Sequence, residues 1–392
     1  MSRNITISYI LAFAKNTWFW LGIWIFYYLR FTDYAGIGII ETVLIVTTTL
    51  AEIPTGAIAD LYGKKKTLIL CFLLEFVGSV LMAFAPNFPT ILISVFIMCL
   101  GGALYSGTLD ALVYDSLKTD GNEKYFDRVI SNIGSISLIT PAICSVFGGY
   151  LYGLEPRAPF VLNSLGYFVG LVSALFLTEP KIDTIKFSFI NYLNQTGKGV
   201  SELFKNINIV KVTILLLCIG FVTVISSEMV DSFLSFEFKF GDKQMGILWA
   251  VVFVVSAIVS QATPIINKKL GLLNSIFLTG VVMAITLVVS PLVGIVLGGL
   301  TIIIRASSQG VFGNLASINI NQNTVSEYRA TTISTFNMIK NVPYVLTAYF
   351  VGRISDTFSA KITSAYMGVF LGISILVIWF WINRRSILEK QS

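Results

Sequence analysis

Nine ionisable side chains stand inside long apolar runs of this 392-residue sequence: Lys15, Glu41, Glu52, Glu75, Asp110, Glu228, Asp231, Arg305 and Lys340. At the centre of a bilayer each costs at least ~2.5–3.5 kcal/mol on insertion scales, so each marks a candidate site. Glu228 and Asp231 are three apart and share a helix face, as do Arg305, Ser308 and Gln309. Asn337, Lys340 and Asn341 form a similar polar stripe. The chemistry open to such groups is proton carriage. A carboxylate in a dry site favours its protonated form, while a nearby Arg favours the ionised one, which makes the acid a switch. Glu228 or Asp231 is the preferred carrier; the competing reading is a purely structural ion pair between helices. Asp110, followed by Tyr114 at i+4, is the best cavity acid of the N-terminal part, and Lys15 with Asn16 and Trp18 suggests a mixed polar and aromatic wall. Glu52, beside Pro54, falls near the inner rim, and Glu75 is expected to pair with lysines of a nearby loop.

Other chemistries are excluded by residue type. There is no histidine, so proton handling falls to Asp, Glu or Tyr, and a His-ligated metal is impossible. Cys71, Cys99, Cys144 and Cys218 each lie singly in an apolar run without CxxC spacing and read as small buried hydrophobes. The Gly63-Lys64-Lys65-Lys66 run lacks the glycine spacing and Ser/Thr partner of a phosphate cradle, which excludes ATP drive from this chain. No catalytic constellation is present, so the protein is not expected to be an enzyme. No cofactor is expected; a proton gradient is the expected driving force.

These residues are positioned by an all-α membrane protein. The chain is 55% hydrophobic and only 12% charged, where a soluble one carries roughly a quarter. Apolar segments at 7–29, 35–59, 66–86, 89–117, 128–152, 158–178, 209–236, 244–266, 272–290, 292–318, 330–352 and 362–383 predict twelve transmembrane helices. Eighteen of the 27 Lys and Arg fall on one side of that topology, six fall opposite, and three lie inside spans. Both termini are therefore expected to be cytoplasmic, in a multi-pass protein of the cell (inner or plasma) membrane. Topology accounts for the +6 net charge, so no nucleic-acid partner is implied. The expected partners are a small-molecule substrate and the lipid bilayer, with the protein a monomer.

The sequence divides into an N-terminal bundle (1–180), a cytoplasmic central loop (181–208) and a C-terminal bundle (209–392). The loop is read as a hinge, although its Phe187, Phe189, Ile190, Leu193, Leu203 and Phe204 allow a helix on the inner leaflet. The two bundles echo each other. Phe31-Thr-Asp33 matches Phe240-Gly-Asp242, and Arg128-Val-Ile-Ser131 with Pro141 matches Arg329-Ala-Thr-Thr332 with Pro343. A 6+6 repeat about a cytoplasmic loop is the build of parallel-repeat transporters.

The loop Gly56-Ala-Ile-Ala-Asp60-Leu-Tyr-Gly63-Lys64-Lys65-Lys66 resembles the signature of the major facilitator superfamily (MFS). The resemblance implies the MFS fold of two six-helix bundles. It also implies a latch of the outward-facing state: Gly56, Asp60, Gly63, Lys64 and Lys65, with Asp115 as the partner of the basic residue and Arg329 where helix eleven begins. Leu50–Gly56, Ser106–Leu117 and Glu327–Thr331 are similar to the bacterial drug-efflux-like branch. The sequence departs from that branch in lacking the helix-four arginine, in carrying Thr140 where Gly precedes Pro, and in losing the Asp from the second copy of the loop, Asn267–Gly271. In the resembling fold helices one, four, seven and ten line the cavity, which implies that Lys15, Asp110, Glu228, Asp231 and Arg305 meet the substrate. Lys340, Gln309, Asn337 and Asn341 complete the expected polar lining. The function read from this is alternating-access, proton-coupled efflux of an amphiphilic small molecule by a multidrug-type antiporter. The alternative is proton-coupled uptake of a nutrient or an anionic, siderophore-like solute, for which Arg305 and Lys340 would hold the anionic group.

Overall fold

The computed structural model describes residues 3–180 and 189–389; within these, the side chains at 52–61, 189–193, 195, 327, 330 and 383–389 lie outside the described set. Among the described residues every regular element is a helix. In order they are α1 Arg3–Lys15, α2 Trp24–Tyr28, α3 Tyr34–Tyr62, α4 Lys64–Ala83, α5 Phe88–Tyr105, α6 Thr108–Thr119, α7 Phe126–Leu154, α8 Ala158–Leu175 and α9 Phe189–Leu203. There follow α10 Ile207–Ile225, α11 Asp231–Glu237, α12 Asp242–Ser260, α13 Thr263–Leu270, α14 Leu272–Val288, α15 Ile295–Asn323, α16 Arg329–Phe358 and α17 Ala360–Glu389. A chain in lipid must satisfy its backbone internally, which leaves helices as the economical solution for these apolar runs.

Nine helical segments of the described residues are long and apolar enough to cross a membrane, or ten if the α13–α14 pair, bent by 115°, is one span. Two of the twelve expected spans are helical without being uninterrupted apolar crossings. The first breaks between Lys15 and Trp24, where the backbone passes through turns. The eleventh is the 30-residue α16, which carries Arg329, Lys340, Arg353 and Asp356.

Two further spans change geometry at their centres. Span four stops at Tyr105 and restarts at Thr108, with Gly107 between them at φ +71°, where only glycine is unstrained. Span seven widens into a π-helical turn over Ser226–Val230. Such turns recur at functional sites because they re-aim side chains.

The chain forms two compact units. The first comprises Met1–Thr32, Val43–Phe189 and Gly241–Ala250; the second comprises Asp33–Thr42, Ile190–Phe240 and Val251–Ser392. Leu11, Leu68, Phe72, Leu112 and Val113 centre the core of the first, while Leu215, Ile219, Met283, Leu315 and Leu371 centre that of the second. Short 3-10 turns precede both α7 and α16, and each of these helices contains a proline, Pro141 and Pro343. These are the segments that echo each other in the sequence.

Within the central stretch, 181–188 lies outside the described residues, and 189–203 is helical. Leu203 is buried in the second unit's core, its carbonyl accepts from Thr213 Oγ1 at 3.0 Å, and Lys198 Nζ donates to Tyr328 Oη at 3.2 Å. This stretch is therefore more than a bare hinge: it carries a helix packed on the second unit.

Three helix starts are capped by carboxylates distant in sequence. Glu179 accepts from Lys64 N and Lys65 N at 2.7 and 2.9 Å, and Asp356 accepts from Tyr34 N and Ala35 N at 3.0 and 2.9 Å. Glu237 accepts from Ala360 N and Lys361 N at 2.6 and 3.1 Å. Each acid satisfies orphan N–H groups and meets the positive end of a helix dipole.

Close backbone approach supplies the remaining packing. A side chain at Gly148 would place its Cβ 1.7 Å from the Phe19 carbonyl oxygen, whereas one at Gly134 on the same helix meets nothing within 4 Å. Gly148→Ala should therefore cost about 1–3 kcal/mol through overpacking. Gly134→Ala should be neutral or slightly stabilising, and thermal unfolding of both variants in detergent tests the contrast.

Candidate functional site

In the second unit the π turn of span seven places Asp231 at the start of α11, where it is 1% exposed. Its Oδ1 accepts from Ser226 Oγ at 2.9 Å and from Arg305 Nε at 2.7 Å, with Arg305 Nη2 at 2.5 Å. Arg305, in the middle of α15, is 0% exposed, and its Nη1 donates to the Thr286 carbonyl at 3.2 Å. Gln309, one turn further along α15, faces the same carboxylate. The pair is sealed. Two charges removed from water persist only with close geometry and further hydrogen bonds, and this site has both.

Glu228 differs although it lies on the same turn. The i, i+3 spacing predicts a shared face with Asp231, but the wider π turn rotates the two apart, leaving Glu228 exposed while Asp231 points into the core. Ser227 Oγ lies 3.5 Å from Glu228 Oε1. Lys340 of α16 and Glu41 of α3 both act on Glu228 electrostatically. Glu41, read from sequence without a role, is buried and accepts a hydrogen bond from Tyr344 Oη at 3.1 Å. On α16, Lys340 and Asn341 are half-buried and Asn337 is exposed. The second unit therefore brings Glu41, Glu228, Lys340 and Tyr344 into one group, and Asp231, Arg305 and Gln309 into another.

In the first unit Lys15 is the last residue of α1 and pairs with Glu75 of α4. This corrects the expectation that Glu75 serves loop lysines. It is 2% exposed in the packed interior of α4, beyond the reach of the loop, and its neighbour there is Lys15. The Lys15 ammonium also lies over the rings of Tyr105 and Tyr167, at 5.6 and 5.9 Å. Asn16 and Thr17 cover the broken end of α1: Asn16 Nδ2 donates to the Ala12 carbonyl at 2.8 Å, and Thr17 Oγ1 to that of Ala14 at 2.9 Å. Asp110 is exposed in the first turn of α6 and makes no ion pair among the described residues.

At the rim of the first unit, Lys64 Nζ pairs with Asp115 of α6. Gly63 adopts φ +90° between α3 and α4, and Glu179 holds the first two amides of α4. Gly56 and Asp60 fall among the side chains outside the described set, as does Glu52. Arg329 begins α16, is exposed, and donates from Nε to the Thr324 carbonyl at 3.4 Å.

Sequence reasoning missed the acid Glu75 as partner of Lys15, Tyr344 as partner of Glu41, and the caps Glu179, Glu237 and Asp356. A single buried acid in an apolar helix is a signal for an unseen basic partner, but nothing in the spacing names which one. Removing one member of the sealed pair should leave an uncompensated charge. Arg305→Met is expected to destabilise the protein by about 3–5 kcal/mol, and Arg305→Met with Asp231→Leu should recover most of that loss. Thermal unfolding of the single and double variants measures it.

Comparison with known proteins identifies the family and the fold. The family model described as Major Facilitator Superfamily matches residues 5–348. The uncharacterized MFS-type transporter YxaM of Bacillus subtilis (strain 168) is 23% identical over 368 residues, covering 91% of this chain and 90% of that protein. The crystal structure of the nucleoside transporter NupG aligns with a TM-score of 0.75 at 16% identity, over 96% of this chain and 97% of that one. A bacterial homologue of the human lysosomal transporter Spinster, in an inward-facing and occupied conformation, aligns with a TM-score of 0.75 at 15% identity, over 97% and 96%. At such identities the structural likeness speaks for the fold. A multi-pass membrane transporter of small molecules, the chain belongs to the major facilitator superfamily.

Proposed function

We propose that the protein exports a cationic amphiphile in exchange for protons, by alternating access across the cell membrane, as a monomer with both termini in the cytoplasm. The observation that carries this reading is Glu228. It is a carboxylate deep in the chain's apolar sequence, exposed on its π turn, and closed by no ion pair among the described residues. With Glu41 beside it and Lys340 as the one base of the group, acid is in excess. A carboxylate that holds either a proton or an organic cation, but not both, exchanges one for the other. Similarity to the drug-efflux-like branch supports the same direction.

Uptake of an anion would need a base with a free face. Arg305 has none, since its guanidinium is fully buried against Asp231 and the Thr286 carbonyl, and the half-buried Lys340 is matched by Glu228. The Lys64–Asp115 pair and the Glu179 cap suit a latch at the rim, to which the resemblance alone adds Asp60 and Gly56 of the same motif.

Two measurements test the reading. Cells expressing the protein should accumulate less of a fluorescent cationic amphiphile, and an uncoupler should abolish the difference; faster uptake of a labelled anion down a proton gradient would overturn it. In proteoliposomes Glu228→Gln should reduce gradient-driven transport to the background leak while sparing substrate counterflow. Asp115→Asn should slow turnover about tenfold without weakening substrate binding, as expected of a residue that biases one state of the cycle.

A further inference from the structure

The Lys15–Glu75 pair has an asymmetry that neither the latch nor the Glu228 group uses. Its basic member reaches outward and its acid is hidden: the side chains are 17% and 2% exposed. Glu75 Oε1 holds Lys15, while Oε2 meets only the weak donor Cys71 Sγ, at 4.0 Å. The pair is open on one side. A Cβ at Gly101 would collide with Glu75 Cγ at 2.7 Å, but one at Gly102 would meet Glu75 Oε1 and Lys15 Nζ at an ordinary 3.7 Å. Tyr105 Oη is buried there with no hydrogen-bond partner.

The titratable groups around Glu75 are few. They are Lys15 from α1, Cys71 on its own helix, Tyr105 from α5 and Tyr167 from α8, with Asp110 of α6 beyond Tyr105. One acid therefore balances one base. With Glu75 ionised the pair is neutral to its surroundings. With Glu75 protonated, Lys15 stands as an uncompensated cation in a medium that screens it poorly.

We propose that Glu75 is a second proton-binding site, whose protonation from the aqueous phase unmasks Lys15 and so repels an organic cation from the Asp110 side of the first unit. This rests on the reading of cation-for-proton exchange and adds to it a carboxylate that never touches the substrate. Glu75 is a positioning residue, and it acts through the charge of Lys15.

The test is equilibrium binding of tetraphenylphosphonium, whose charge does not change with pH, to the purified full-length protein between about pH 5.5 and about pH 8.5. At the alkaline end Glu75→Gln should weaken binding about tenfold, because Lys15 is then permanently unmasked. Adding Lys15→Met to Glu75→Gln should restore the lost affinity at the alkaline end, and Glu75→Gln alone should show a shallower pH dependence of binding than the wild type, a change that a merely structural pair would not give. Lys15→Met alone should bind the probe at acid pH at least as tightly as the wild type, which keeps the test alive if Glu75→Gln does not fold. Wild-type affinity in Glu75→Gln, or a double variant no better than the single, would overturn the proposal while leaving cation export standing. Failure of the wild-type protein to bind the probe at any pH would overturn both.

Discussion

A charge inside a bilayer has no water to answer it, and the arrangement of this protein's interior follows from how each such charge is answered. Arg305 and Asp231 answer each other directly, with Ser226 and the Thr286 carbonyl taking up further hydrogen-bonding capacity. Replacing such a pair by apolar residues is often neutral for stability, so its presence is weak evidence of a stabilising role. Its geometric effect is clearer: it fixes α11 against α15 at the point where span seven leaves the α-helical path. Glu228, three residues earlier, is thereby held on the other side of that turn.

The same constraint explains what could be read from the sequence. Apolar run length is a direct consequence of bilayer thickness, so most helices lie where hydropathy places them. The Gly56–Lys66 motif is local, and its Lys64 is set at a helix start that hydropathy also marks. The breaks are a different matter. The expected spans run on through 16–23, through Ser106-Gly107 and through Ser226–Val230, where scattered polar residues do not by themselves mark a break. The pairing of Lys15 with Glu75, and the caps supplied by Glu179, Glu237 and Asp356, join residues 60 to 322 positions apart. No periodicity within one helix encodes such contacts.

The breaks and the charges are related. Glu41, Glu75 and Arg305 lie inside uninterrupted helices and are buried, at 6%, 2% and 0% exposure, Glu75 opening to its surroundings only through Lys15; Lys340, inside α16, is half-buried. Lys15 ends α1, Asp110 starts α6 and Glu228 sits in the π turn, and these charges keep an open face, whereas Asp231, at the end of that turn, is closed by Arg305. An unbroken helix satisfies its own backbone and tends to hold a charge by burying it against a partner. An interrupted one frees amides and carbonyls that themselves need polar company, so water or a polar ligand is favoured at the same place as the charge. A chain of continuous helices would satisfy its backbone more fully. It would also leave fewer intramembrane charges with a face from which to exchange a proton for a substrate.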